Sequence, residues 1–211
     1  YVDTLIWNGQ KIPLYDARFD GRIRRIARYG HESENNSALN VYSFVGSDIS
    51  LSELIYREFY IAEYILNSNI KKITAFVNGN SANIIAVMEN ETCANMDLGN
   101  TMAPGSPNQC QHRLITQCGM ANDRAVGNMI VEHQVNVYDQ SSTSPAVYDD
   151  DEYYLYGLND DQVCKVLTIH GIFTGIESYN NWSEIDTRCH AAVEAVFESN
   201  RLGKTVLVGG I

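Results

Sequence analysis

The hydrophobic period of this chain changes abruptly near residue 70, and that change fixes what the middle of the chain can become. Leu51, Leu54, Ile55, Ala62, Ile65 and Leu66 recur at helical spacing and mark one apolar face. Ser50 and Glu53 have the spacing of a capping box, in which two side chains reciprocally satisfy free N–H groups at a helix start. Asn67 to Asn69 is a polar stop, which closes a helix over residues 50–67. From Lys72 the period drops to two. Lys72 to Val77 and Asn83 to Val87 read as strands joined by Asn78-Gly79-Asn80, and Asn-Gly is a hairpin signal because both residues tolerate positive φ.

The rest of the chain extends this pattern. Val2 to Trp7 and Asn40 to Val45 fit short strands, and Asp20 to Tyr29 a basic helix. Cys93 to Leu98, His112 to Cys118 and Met129 to Tyr138 read as further strands, with Gly119 to Arg124 as a turn. His31 to Asn36, Gly99 to Asn108 (with Pro104 and Pro107) and Gln140 to Pro145 read as loops. Asn159 and Gln162 bracket the start of a helix carrying Val163, Val166, Leu167 and His170 on one face, which Gly171 can end. Trp182, Ile185, Cys189, Val193, Val196 and Phe197 define the final helix, closed by Gly203 before a strand over Thr205 to Val208. Strands segregated from helices in this way predict a single α+β domain over residues 1–211: an open, largely antiparallel sheet with helices packed on one face. Ile84, Ala86 and Met88 share one side of their strand and Ile85 and Val87 the other. A strand apolar on both sides needs helices on one face and a partner on the other.

Composition removes several function classes. The net charge is −11, and acidic residues crowd Tyr148 to Glu152, so a nucleic-acid partner is not expected. Against that trend run Arg18, Arg22, Arg24, Arg25 and Arg28, which read either as a solvated helix face or as an anion-capturing one. No apolar stretch approaches the roughly 18 residues of a membrane span, so no membrane partner is expected. Tyr1 to Gln10 has neither the basic nor the apolar region of a signal peptide, and a chain opening on Tyr1 reads as part of a longer polypeptide. Five cysteines without CxxC spacing suit reduced thiols and a cytoplasmic setting. The sequons at Asn35, Asn90 and Asn181 are chance matches in an Asn-rich chain.

Motifs that carry chemistry are absent from the sequence. There is no G-x-G-x-x-G after a strand, no phosphate-binding G-x-x-x-x-G-K-[ST], no G-x-S-x-G and no H-E-x-x-H. This chain is therefore expected to hold no nicotinamide cofactor by itself. Cys110, His112 and Cys118 form an incomplete ligand set with no candidate fourth member, so no metal site is expected. His31, His112, His133, His170 and His190 each read as structural rather than as a general base. His112 and His133 lie in strands whose polar face suits plain surface.

Three segments nevertheless resemble one family. The first is Glu63 to Asn67 followed by the strand Ile70 to Phe76. The second is the hairpin Ile84 to Glu89 with the later turn Arg113 to Met120, which has Gln117 or Cys118 in place of a glycine. The third is Ala192 to Ser199 followed by Gly203 to Val206. In this order, over residues 46–208, they resemble the C-terminal domain of the Gfo/Idh/MocA (glucose–fructose oxidoreductase / inositol dehydrogenase) family. The resemblance implies a preceding Rossmann domain that holds NAD or NADP. It implies a small-molecule substrate, a sugar, polyol or derivative, and a homo-oligomer formed through the open sheet face. It further implies a helix that faces the substrate with a His and, three residues on, an Asp. In this register those positions are Arg57 and Tyr60, and neither is the neutral imidazole that acid–base chemistry at pH 7 uses. The expectation is a substrate-binding and oligomerisation domain, not catalytic alone, with Arg57 and Tyr60 as substrate-binding residues at a cleft edge and Glu53 and Glu63 orienting the guanidinium. The alternative is a non-catalytic binding or scaffold protein that retains the fold.

Overall fold

The computed structural model describes residues 4–7, 10–13, 19–32, 37–103, 106, 108–126, 129–139, 146–148, 160–174 and 182–209. A hairpin of β1 (Thr4–Trp7) and β2 (Gln10–Pro13) precedes α1 (Gly21–Glu32), β3 (Ala38–Gly46) and α2 (Leu51–Leu66). Then come β4 (Ile70–Asn78), β5 (Ser81–Met88), β6 (Cys93–Met102), β7 (Gln109–Thr116), β8 (Gly119–Val126), β9 (Met129–Asp139) and β10 (Ala146–Tyr148). The chain continues with α3 (Asp160–Thr174), α4 (Trp182–Leu202) and β11 (Val206–Leu207). Among the described residues, nine strands form one open sheet in the order β10-β9-β8-β7-β3-β6-β5-β4-β11, and of their pairings only the central β3–β6 is parallel, because α2 and the β4–β5 hairpin intervene between those strands. The fold is therefore α+β, with a largely antiparallel sheet.

α1, α2 and α4 build one layer on that sheet. Ser50 caps α2: its hydroxyl accepts from the Glu53 N–H at 3.2 Å, while the Glu53 carboxylate accepts from the Ser50 N–H at 2.9 Å. Asn67 ends the helix in the left-handed conformation, at φ +46°. Leu54, Ile55, Ala62, Ile65 and Leu66 are buried along its length. They meet the inward rows Leu39 and Val41 of β3, Ile84, Ala86 and Met88 of β5, and Ala94, Met96 and Leu98 of β6. Burying one such side chain contributes roughly 1.5–3 kcal/mol. α4 contributes Cys189, Ala192, Val193 and Val196 to the same core, and α1 contributes Ile23, Ile26 and Ala27 while Arg24 and Arg28 face outward.

Several local expectations change: Gly99 to Met102, read as loop, completes β6, and His31 and Glu32, read as loop, complete α1. The segment Gly119 to Arg124 is not a turn but most of β8, because Thr116 pairs with Gly119 and the hairpin closes at Gln117-Cys118. Its inward residues are Ala121 and Asp123, so no apolar alternation betrays it. The hairpin between β4 and β5 pairs Asn78 with Ser81, which makes Gly79 and Asn80 the two turn residues. Only Gly79 of the two has positive φ, +58°, as in turns that carry glycine first. Gly171 does not end its helix, since α3 runs on to Thr174, whose hydroxyl donates to the His170 carbonyl at 2.9 Å. Arg18, Pro104, Pro107, Asn159, the end of the first polar loop (33–36), the loop 140–145 and the acidic stretch 149–152 lie outside the described residues.

Candidate functional site

One group of buried charged residues joins α2 to β7 and β8. Glu58 sits on the apolar stripe of α2, three residues after Ile55 and four before Ala62, and is fully buried. Opposite it, His112 is an inward residue of β7, and beside that lies the inward Asp123 of β8. The imidazole is held from both sides: Nε2 lies 2.8 Å from Oε2 of Glu58 and Nδ1 lies 2.9 Å from Oδ2 of Asp123. The other oxygen of Asp123 accepts from the His112 backbone N–H.

That geometry sets the protonation state. A neutral imidazole would aim a lone pair at one carboxylate, so a ring facing two carboxylates carries both protons. Burial alone would favour the neutral ring, but the charges of Asp123 and Glu58 outweigh it and hold His112 well above the usual histidine range. For Glu58, burial pushes the carboxyl up, and the cations of Arg57 and His112 overcome it and bring it down to about 2. Asp20, just ahead of α1, belongs to the same neighbourhood. Burial pushes its carboxyl up, while Arg22, the Ile23 N–H and the His112 charge hold it below the usual range.

Arg57 is where the Asp123–His112–Glu58 chain reaches solvent; 24% of its side chain is exposed. Its Nη2 donates to Oε1 of Glu58 at 2.8 Å and to the Ser43 hydroxyl at 3.3 Å, and Nε also donates to Oε1 at 3.3 Å. The thiol of Cys110 lies 3.8 Å from Nη2 and 3.2 Å from the Ser43 hydroxyl. Ser43 and Cys110 are directly paired across β3 and β7, so the guanidinium lies over that rung of the sheet. Tyr60, one turn on, is buried in the hydrophobic core. Neither acidic residue expected to flank the pair is spare. Glu53 closes the helix cap, and Glu63 accepts from Arg188 at 2.8 Å and from the Ile70 N–H at 3.0 Å. Glu58, adjacent in sequence, is the carboxylate that grips the guanidinium.

Neither Glu58 nor Asp123 is a site residue in the sequence reading, which gives His112 a structural role on a strand whose polar face suits plain surface; His112 faces inward because Cys110, His112, Leu114 and Thr116 alternate on the side that Leu114 buries. A carboxylate on an apolar helix stripe and an imidazole in register with a core leucine are the signals that point to this cluster. Cys118 lies exposed at the β7–β8 turn, away from Cys110 and His112, and among the described residues no cluster has a metal-binding arrangement. Among the described residues no disulfide joins the five cysteines.

On the opposite face of the sheet, Tyr42, Phe76, Ile85 and Ile115 are exposed. Between them the polar groups satisfy one another: Asn95 donates to Asn40 at 3.2 Å and Asn83 to Asp97 at 2.9 Å. A shallow trough runs across β4, β5 and β6 there, lined by Thr74, Phe76, Asn83, Ile85, Asn95 and Asp97. Among the described residues, no helix is long and apolar enough to cross a membrane.

No family model matches the sequence, and no curated protein matches it. Solved structures do match the fold. Levoglucosan dehydrogenase in complex with NADH and L-sorbose superposes with a TM-score of 0.73 at 11% identity, over 92% of this chain and 65% of that one. For scyllo-inositol dehydrogenase from Lactobacillus casei the TM-score is 0.60 at 14% identity, over 92% and 62%. The transcriptional regulator Gal80p from Kluyveromyces lactis gives 0.68 at 13% identity, over 92% and 61%. These neighbours are of the Gfo/Idh/MocA type, so the resemblance read from the sequence holds at the level of the fold. The chain spans under two thirds of the length of the structures it matches.

Proposed function

We propose that this chain is a single substrate-side domain of a larger NAD(P)-dependent oxidoreductase acting on a sugar, polyol or derivative. The observation that carries the reading is the fold match: nearly the whole chain superposes on dehydrogenases that are longer by about a third of their length. A nucleotide-binding domain fits that remainder, and this sequence contains no Gly-rich turn to cradle a pyrophosphate. Arg57 supplies a fixed, partly exposed cation at the helix position where the family places a substrate-facing histidine, and Tyr60 stands three residues on, where the family has aspartate. The exposed sheet face, apolar at Phe76, Ile85, Tyr42 and Ile115 with its amides already bonded together, suits a second copy of the chain. Five cysteines without CxxC spacing suit a cytoplasmic setting.

The test compares the complete native polypeptide with the 211-residue chain by calorimetric titration with NADH and NADPH. Binding by the complete polypeptide and none by the chain supports the reading; a complete polypeptide that binds neither refutes it. In the complete protein, Arg57→Ala is expected to lower the melting temperature by stripping a counter-charge from the buried Glu58 and, measured well below that temperature, to weaken substrate affinity or turnover as well; unchanged kinetics would remove Arg57 from the site.

One observation favours a second reading, a non-catalytic binding or scaffold protein. The imidazole nearest the site is clamped between two carboxylates and has no open lone pair, so it cannot act as a general base. The likeness in fold to the transcriptional regulator Gal80p is in keeping with this alternative. A complete polypeptide that binds nicotinamide and sugars but turns over none of a polyol panel would select it.

A further inference from the structure

We infer that His112 and Asp123 are positioning residues for Arg57: the His112 ring, tied to β8 through Asp123, fixes the one Glu58 rotamer that can grip the guanidinium. The connection is continuous. Asp123 holds both the backbone N–H and Nδ1 of His112, so ring and strand cannot turn separately. Nε2 takes one Glu58 oxygen at 2.8 Å, which leaves the other oxygen for Arg57, also at 2.8 Å. Each bond joins opposite charges and is stronger than a neutral pair, and burial keeps water from competing for either carboxylate. A lone glutamate beside Arg57 would leave the guanidinium free to swing about a four-bond stem. With Glu58 anchored at its far oxygen, Arg57 is held against Ser43 and the Cys110 thiol.

A cluster kept only for stability would be replaceable by apolar residues, and buried ion pairs commonly stabilise no more than well-packed apolar side chains do. Here the chain Asp123–His112–Glu58–Arg57 begins in the core and ends at a partly exposed guanidinium. Arg22 and Asp20 lie alongside it but bond to each other, and among the described residues no further acid bonds the His112 ring. The coupling itself needs only this geometry; its consequence for ligand binding rests on Arg57 being a substrate-facing residue.

The coupling can be read directly on this chain by nitrogen–proton NMR of arginine Nε–Hε groups and histidine rings. The Arg57 signal is identified by its loss in Arg57→Lys. Its Hε is expected to exchange with water more slowly than that of Arg201, whose side chain is 67% exposed. In Asp123→Asn, which touches no atom of Arg57, Hε exchange should speed up by about tenfold, the scale of one lost charge-assisted bond, while the backbone spectrum of α2 and α4 stays in place. Unchanged exchange in that variant overturns the inference. If Asp123→Asn does not fold, a pH series on the unmodified chain decides. Protection of Hε lost together with the His112 ring proton supports the coupling, and protection that outlasts deprotonation overturns it. The site reading fails separately, if Arg57→Ala leaves ligand affinity of the complete protein unchanged while the NMR coupling stands.

Discussion

Raising the pH above neutrality should destabilise this domain, and His112 is the reason. Asp123 and Glu58 hold the folded ring protonated well above the ordinary value of 6.5, despite the burial that opposes them. A group whose pKa is raised on folding contributes its full stability below the unfolded value and loses it as pH climbs towards the folded one. From about pH 6.5 the unfolded chain sheds this proton while the folded chain keeps it. Each pH unit then removes about 1.4 kcal/mol until the folded ring titrates. Against a total stability of roughly 5–15 kcal/mol, that slope is readily measured. Glu58 fixes the acid side with the opposite sign. Its carboxyl is depressed from 4.5 to about 2, so its contribution is present above about 4.5 and vanishes as pH falls through about 2. That shift corresponds to roughly 3 kcal/mol, undiminished by solvent because the group is fully buried. Urea unfolding at half-unit steps from about pH 4 to 8 should therefore show a plateau between about 4.5 and 6.5, with a decline on each side. The alkaline decline should flatten in Asp123→Asn, where one of the two carboxylates that charge the ring is gone. A stability that is level or rising between pH 6.5 and 8 in the unmodified chain would refute the imidazolium assignment.

Other perturbations probe the frame that carries the site. Phe59→Ala, at a fully buried position on α2, should cost about 3–5 kcal/mol in urea midpoint, because the layers above and below can only partly collapse into the space. Ser50→Ala removes the hydroxyl that receives the Glu53 N–H and should cost about 1 kcal/mol with no change in the denaturant slope. Phe76→Asp together with Ile85→Asp places two charges on the exposed sheet face. Light scattering is expected to show an oligomer reduced to monomer, while melting of the monomer changes little. A protein that is monomeric before substitution would remove the sheet-face partner from the proposal.

Local sequence determined the elements and much of their order. The capping box at Ser50 and Glu53 and the apolar stripe from Leu54 to Leu66 act within a few turns of one helix, so their signal needs nothing from the rest of the chain. The alternation that puts Ile84, Ala86 and Met88 inward is local in the same sense, and so is Gly203, at φ +61°, which follows the end of α4. Where apolar alternation fails, as in β8, the strand was invisible, because only its pairing with β7 and β9 defines it. The charge cluster belongs wholly to the tertiary structure. Glu58, His112 and Asp123 are 54 and 11 residues apart along the chain, and neither separation carries information about contact. Sequence alone gave Arg57 a register and a chemistry, but the carboxylate that would hold it was sought at Glu53 or Glu63. Packing α2 across β3 and β7 turned Glu58 inward onto His112 instead, in a setting too dry for any of these charges to stand alone, so each had to find its opposite there.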